Sequence, residues 1–316
     1  MRSLTFVSIP DLDASTAFWP KIASCKDLFL VTGHYSDIGR HGRIRVWDVV
    51  TGNLLLQLLD HTDVVSDVSF LGDQRSLLAS ASFDGSCKIW DLKDEGNLVK
   101  TLQVDSKAFH ACCWSPDSKS FAAVGVSKVV YVWETNNFQL RLQLAGHQHT
   151  IVSCSYSPDG SLIATASFDT RVILWNTLTG VIFRQLCHLQ PLPSMVYASG
   201  ENGSWIRSLS FLSNGALIST VCDDGLVRVW DFERQSLTGT AQVDQGLCCS
   251  FSPSNNYIAV GTTAGNVRFF KPQVTVKSLL FLSRSAVRMF LKTHPYDLRY
   301  QTIIPDELSH YLLYQD

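Results

Sequence analysis

Charge is scarce in this chain. Of its 316 residues only 17% are Asp, Glu, Lys or Arg, and 26 basic groups face 28 acidic ones for a formal net charge of −2. No segment gathers Lys and Arg into a cluster, so the electrostatic footprint of a nucleic-acid or anionic-membrane surface is missing. No apolar run approaches the ~20 residues that a membrane-spanning helix needs. The opening residues, Met1-Arg2-Ser3-Leu4, lead into neither the apolar stretch nor the small-residue cleavage site of a secretory signal. These absences predict a soluble chain of the cytoplasm, with the nucleus as a second address. The nine cysteines never fall in a C-x-x-C spacing and read as reduced core thiols rather than a disulfide framework. His110 near Cys112 and Cys113, and Cys187 beside His188, come closest to metal-ligand pairs. Neither has the spacing of a zinc site, so no metal and no cofactor is expected.

Hydrophobic residues are abundant, at 46%, which excludes global disorder. They are arranged in a repeat. Ile44-Arg45-Val46-Trp47-Asp48, Lys88-Ile89-Trp90-Asp91, Val130-Tyr131-Val132-Trp133-Glu134, Val172-Ile173-Leu174-Trp175-Asn176 and Val227-Arg228-Val229-Trp230-Asp231 share one pattern. Val267-Arg268-Phe269-Phe270-Lys271 follows it with phenylalanine in the tryptophan place. The spacing is about 40–45 residues, with one longer interval of about 55, and matches the WD repeat, four strands to a propeller blade. Each unit also ends a strand in an aromatic residue (Phe70, Trp114, Tyr156, Phe211, Phe251), turns through segments such as Ser157-Pro158-Asp159-Gly160, and continues in a small-residue strand such as Ala164-Thr165-Ala166-Ser167. The expected fold is an all-β WD-repeat β-propeller over residues 1–272, with six visible blades. Ser3-Leu4-Thr5-Phe6 is read as the first strand of the first blade. No spare strand remains to close the ring, which predicts that amino-terminal propeller sequence is lacking; Val274–Lys277 completing the last blade is the alternative.

Two repeats carry a full polar set: His61, Ser82, Asp84 and Trp90, then His147, Ser167, Asp169 and Trp175. Imidazole, hydroxyl, carboxylate and indole can chain hydrogen bonds across a blade and satisfy buried polar groups. The same residue types make catalytic triads. A set that recurs once per blade and ends in tryptophan is scaffold, so no catalytic residue is expected and the chain is read as a non-enzyme. Cys222 replaces the serine in a later repeat.

The longer interval hides an insertion of about 12 residues, assigned to Cys187–Ser204, and further excess lies at His34–Gly42 and Pro10–Ala23. Loops held by a rigid scaffold concentrate binding residues, so Tyr35, Arg40, Met195 and Tyr197 are the candidate substrate contacts.

After Pro272 the period stops. Leu279, Leu282, Ala286, Val287 and Phe290 fall on one stripe of a helix capped by Ser278 and ended by Pro295. Pro305 opens a second helix bearing Leu308, Tyr311 and Leu312. Residues 273–316 therefore form a small helical module, too short to bury much alone. Residues 278–313 resemble a SOCS box: Ser278, Leu279 and Val287 fit its first helix, with Ser283 where cysteine is usual. Thr302-Ile303-Ile304-Pro305 keeps only the last proline of its Leu-Pro-x-Pro element. Together with Asp60-His61-Thr62-Asp63-Val64-Val65 and Gly246-Leu247-Cys248-Cys249, the whole chain resembles the WD repeat and SOCS box-containing proteins. That resemblance implies a substrate receptor of an elongin–cullin ubiquitin ligase. Leu279, Leu282, Ser283 and Val287 would bind elongin C, which carries elongin B. Ile304, Pro305, Leu308 and Tyr311 would contact a cullin with its RING subunit, and the propeller would hold a protein substrate. It also implies further amino-terminal propeller sequence in the family. The rival expectation is a WD-repeat scaffold outside the ubiquitin system, its tail a helical cap.

Overall fold

The computed structural model describes residues 22–25, 29–36, 41–71, 76–188, 205–252 and 254–272. Six antiparallel sheets follow one another in sequence. The first contains β1 (Ile22–Cys25), β2 (Phe29–Ser36), β3 (His41–Asp48) and β4 (Leu54–His61). The second contains β5 (Val65–Phe70), β6 (Leu77–Ser82), β7 (Ser86–Asp91) and β8 (Asn97–Gln103), and the third β9 (Phe109–Trp114), β10 (Ser120–Gly125), β11 (Val129–Glu134) and β12 (Leu140–Ala145). The fourth holds β13 (Ile151–Tyr156), β14 (Leu162–Ser167), β15 (Arg171–Asn176) and β16 (Ile182–Cys187). In the fifth are β17 (Ile206–Phe211), β18 (Leu217–Cys222), β19 (Leu226–Asp231) and β20 (Ser236–Gln242). The sixth, three-stranded among the described residues, has β21 (Gly246–Phe251), β22 (Ile258–Thr262) and β23 (Val267–Phe270). Among the described residues no helix is long and apolar enough to cross a membrane.

Each strand's composition fits its place. β6 and β14 are buried at every position and are built from Leu, Ile, Ala, Ser and Thr, small or uncharged enough to lie between two sheet faces. The outer strand β8 buries only Leu102 and spends Lys100 on solvent. Sheets stack by their faces. Leu77, Ala79, Cys87 and Ile89 of the second sheet pack against Phe109, Trp114, Phe121 and Trp133 of the third. Leu162, Ala164, Val172 and Leu174 of the fourth pack against Ile206, Leu209, Phe211 and Trp230 of the fifth. Two compact units result, Met1–Ala145 and Gly146–Asp316, each with three sheets.

Three expectations about boundaries change. The first strand of the first sheet is Ile22–Cys25, paired from Ile22↔Thr32 to Cys25↔Phe29, rather than Ser3–Phe6. A short connection closes that hairpin at less entropic cost than one of about twenty residues. The excess at His34–Gly42 is largely strand: β2 and β3 are each eight residues long and stay paired to Ser36↔His41. The insertion begins after His188, because Cys187 ends β16 and the His188 N–H donates to the Thr170 carbonyl at 3.1 Å. Val274–Lys277 lies outside the described residues.

Candidate functional site

The polar sets are hydrogen-bonded chains, but the linking hydroxyl differs from the one expected. In the second sheet His61 Nδ1 meets Asp84 Oδ2 at 2.7 Å and His61 Nε2 meets Ser80 Oγ at 2.7 Å. The Trp90 indole donates to the same Ser80 oxygen at 2.9 Å. Ser82 instead donates to the Asp63 carbonyl and accepts from the Asp84 N–H, which fixes the turn. The fourth sheet repeats this: His147 contacts Asp169 and Thr165 at 2.8 Å each, and Trp175 donates to Thr165 at 2.9 Å. Ser167 serves the turn through Thr150 and Asp169. Register explains the correction. Leu78 pairs with Trp90 and Ile163 with Trp175, so the next residue on the same face is Ser80 or Thr165. Ser82 and Ser167 lie two residues further along, beyond the indole's reach. At the other end of the chain, a Cβ on Gly146 would come within 2.8 Å of the Trp175 ring, so glycine there admits the close approach.

Electrostatics follow from these contacts. Burial acts to raise the Asp84 carboxyl, yet hydrogen bonds from His61 and Ser86 outweigh it and hold its pKa below the ordinary value. Asp169 is lowered in the same way, burial being opposed by His147. An ionised carboxylate only accepts, so the imidazole carries its proton on Nδ1.

A third chain lies in the fifth sheet, where the sequence pattern shows no full polar set. His188 Nε2 meets Thr220 Oγ1 at 3.0 Å, and the Trp230 indole donates to Thr220 at 2.9 Å. Among the described residues no carboxylate hydrogen-bonds Nδ1. Arg228 stands there, its Nη1 at 3.1 Å from His188 Nδ1 and its Nη2 donating to Asp224 at 2.5 Å. Guanidinium has no acceptor, so His188 Nδ1 must accept and Nε2 must carry the proton, the reverse of His61 and His147. Burial, reinforced by the Arg228 charge, lowers the His188 pKa to about 3. The signal was present in sequence, since Thr220 precedes Trp230 by the same ten residues as Thr165 precedes Trp175. The insertion hid it by moving His188 away from its tryptophan.

His188, Cys222 and Asp224 place ligand atoms within 4.8 Å of one another, the geometry of a cation site. The Arg228 guanidinium is bonded to two of these groups, His188 Nδ1 and Asp224 Oδ2. Burial pushes the Cys222 thiol up to about 12, which keeps it protonated and a poor ligand.

Beside this chain, the turns of the fourth and fifth sheets build an aromatic and ionic cluster. Phe168 and Trp205 stack with centroids 4.4 Å apart at 20°. Arg207 lies 5.3 Å from both rings and makes a bidentate pair with Asp223 at 2.7 Å and 2.7 Å. The Asp223 N–H donates to the Trp205 carbonyl at 2.9 Å, and His149 flanks Phe168. In the second and third sheets Phe83 and His110 occupy the same repeat positions and meet edge to face at 4.9 Å, with burial lowering the His110 pKa to about 4. Phe168, Trp205 and Arg207 are all partly exposed, and Trp and Arg in particular are the residue types that anchor protein interfaces.

Of the predicted substrate contacts, Tyr35 lies in β2 opposite Gly42. Arg40, Met195 and Tyr197 lie outside the described residues, as do Leu279, Leu282, Ser283, Val287, Ile304, Pro305, Leu308 and Tyr311.

The family model for the WD domain, G-beta repeat, matches residues 52–91, 96–134, 138–176, 194–231 and 234–271. This chain belongs to that WD-repeat family. Four of the five matches pair an outer strand with the next sheet's inner strands, as β4 with β5–β7; the match over 194–231 starts beyond β16. The WD-repeat chain is also 40% identical over 275 residues to WD repeat and SOCS box-containing protein 1 of Xenopus tropicalis, covering 87% of this chain and 64% of that one. The Homo sapiens protein of the same name is 40% identical over 275 residues, 87% and 65% of the two chains. Periodic tryptophan protein 2 of Arabidopsis thaliana is 25% identical over 190 residues, 60% of this chain and 20% of that one. The chain thus spans just under two thirds of the length of the SOCS box-containing relatives it matches.

Proposed function

We propose that this WD-repeat chain is a substrate receptor of an elongin–cullin ubiquitin ligase, its sheets holding a protein substrate and residues 278–313 docking on elongin C. The observation that carries the reading is the similarity over 87% of the chain to proteins whose name joins WD repeats to a SOCS box. The matching residues Ser278, Leu279, Val287, Pro305, Leu308, Tyr311 and Leu312 support it. In this reading elongin C brings elongin B, a cullin and its RING subunit, and the receptor contributes proximity rather than chemistry. The Phe168–Trp205–Arg207 cluster, at the root of the insertion bearing Met195 and Tyr197, is the surface we assign to the substrate.

A reconstituted ubiquitin-transfer reaction tests this. With elongin B and C, cullin, RING subunit, activating and conjugating enzymes present, the receptor chain itself becomes ubiquitinated, and omitting elongin C abolishes the modification. Equal modification without elongin C contradicts the reading.

A further inference from the structure

The insertion that follows His188 and ends before Trp205 has both flanks fastened into one closed circuit of contacts. Phe168 stacks on Trp205 at 4.4 Å, and the Trp205 carbonyl accepts from the Asp223 N–H at 2.9 Å. Asp224, next in the chain, pairs with Arg228 at 2.5 Å, and Arg228 reaches His188 Nδ1 at 3.1 Å. The His188 N–H donates to the Thr170 carbonyl at 3.1 Å, which returns the circuit to the turn that carries Phe168. The second and fourth sheets manage with less. There the histidine stands just ahead of the next strand, His61 before Val65 and His147 before Ile151. One carboxylate oxygen holds both the ring and the following N–H, Asp84 taking Thr62 at 3.1 Å and Asp169 taking Gln148 at 2.9 Å. In the fifth sheet the insertion separates His188 from β17, and two consecutive carboxylates share the task. Asp224 serves the first flank through Arg228, and Asp223 serves the second through Trp205 and Arg207. Asp223 stands where the second and fourth sheets place Phe83 and Phe168, whose N–H groups likewise donate to the residue ahead of a first strand.

We propose that Asp224 and Arg228 are positioning residues for the surface of Phe168, Trp205 and Arg207, which they hold without being part of it; the proposal rests on the assignment of that surface to the substrate. Phe168 belongs to a turn of the fourth sheet, and Trp205 and Arg207 to the start of the fifth, so the surface exists only while the two keep their spacing. A binding surface is precise when the residues beneath it lock its side chains. Arg228 suits that role. Its planar fork bonds His188 with one nitrogen and Asp224 with another, so a single rigid group joins the first flank to the turn that holds the second. Both of its partners are fixed in turn, His188 Nε2 by Thr220 at 3.0 Å and Asp224 Oδ1 by the Leu226 N–H at 3.0 Å. An idle surface insertion needs no such joint.

A phage-displayed dodecapeptide library panned on the full chain tests this, with a chelator present to keep metal from His188, Cys222 and Asp224. Peptides that bind wild type but neither Phe168→Ala nor Trp205→Ala report on the surface. Asp224→Asn and Arg228→Ala should each weaken those peptides by about tenfold, read well below the melting temperature, and leave elongin B–elongin C binding unchanged. Asp224→Glu, which keeps the carboxylate, should recover the affinity. Wild-type affinity in both Asp224→Asn and Arg228→Ala overturns the proposal and leaves the surface assigned to the substrate. A loss that cooling restores in step with the fold overturns it too, because the two residues then act on stability alone. If no peptide depends on Phe168 and Trp205, the surface assignment falls and the proposal with it.

Discussion

Arg228 sits 3.1 Å from His188 Nδ1, at the place where Asp84 and Asp169 face the corresponding histidines of two other sheets. The exchange of carboxylate for guanidinium inverts the ring's tautomer and fixes it neutral. Three chains with one geometry thus have two electrostatic characters. The Arg-linked ring is held neutral by burial and by the neighbouring guanidinium charge.

That difference gives a pH dependence. His188 titrates near 3 in the fold against an ordinary 6.5, so the unfolded chain binds more protons between those values. Stability from this group is complete above 6.5 and is lost as pH falls toward about 3, at about 1.4 kcal/mol per pH unit. His110, lowered to about 4, adds to the slope over most of the same window. Urea unfolding between pH 4.5 and 6 should show a shallower slope for His188→Gln than for wild type. Parallel slopes would show that His188 is not held neutral.

Removing the linking hydroxyl strands two buried partners. Thr165→Val leaves His147 Nε2 and the Trp175 indole without their bond and should cost about 2–3 kcal/mol. Ser167→Ala disturbs one turn whose carbonyls lie nearer solvent, and should cost about 1 kcal/mol. Denaturant midpoints of the two variants check the ranking, and a larger loss for Ser167→Ala would reverse the assignment.

The tryptophan period makes the sheets legible in the sequence, because an indole at the end of an apolar strand every blade has no other simple reading. Which hydroxyl the indole meets was not legible. Ser80 and Ser82 share a face by strand alternation, and only the Leu78↔Trp90 register separates them. The first strand was misplaced because Ile22–Cys25 lacks the aromatic end that marks the other first strands. Phe168 and Asp223 come from two turns and Trp205 and Arg207 from the start of β17, with no common sequence signal; the fold alone joins them.

One turn carries visible strain. Thr170 has φ = 68° at the position where the second, fifth and sixth sheets place Gly85, Gly225 and Gly265 and the third places Lys128 at 65°. A β-branched residue is costly there, and its buried hydroxyl has no hydrogen-bond partner among the described residues. Thr170→Gly should therefore stabilise the chain by about 1 kcal/mol, after the backbone entropy that glycine loses on folding. A lower melting temperature for the variant would show that packing of the threonine methyl outweighs the strain.

Arg228 also closes a cation site. Arg228→Ala leaves His188, Cys222 and Asp224 facing one another, three ligands of the kind zinc accepts with water as a fourth. Cobalt(II) titration should give thiolate-to-metal absorption in the variant and none in wild type. Absorption in both, or in neither, would mean that the guanidinium does not control access.

The direct test of the ligase reading is a calorimetric titration of elongin B–elongin C into the purified full chain. The expected result is one-site binding that Leu279→Asp weakens by at least tenfold, as loss of a buried leucine worth roughly 1.5–3 kcal/mol requires. Ser283→Cys should bind at least as tightly as wild type, since a buried thiol needs no hydrogen-bond partner and a hydroxyl does. No heat of binding from the wild-type chain, or equal affinity for Leu279→Asp, would contradict the account and leave the tail a cap on a WD-repeat scaffold.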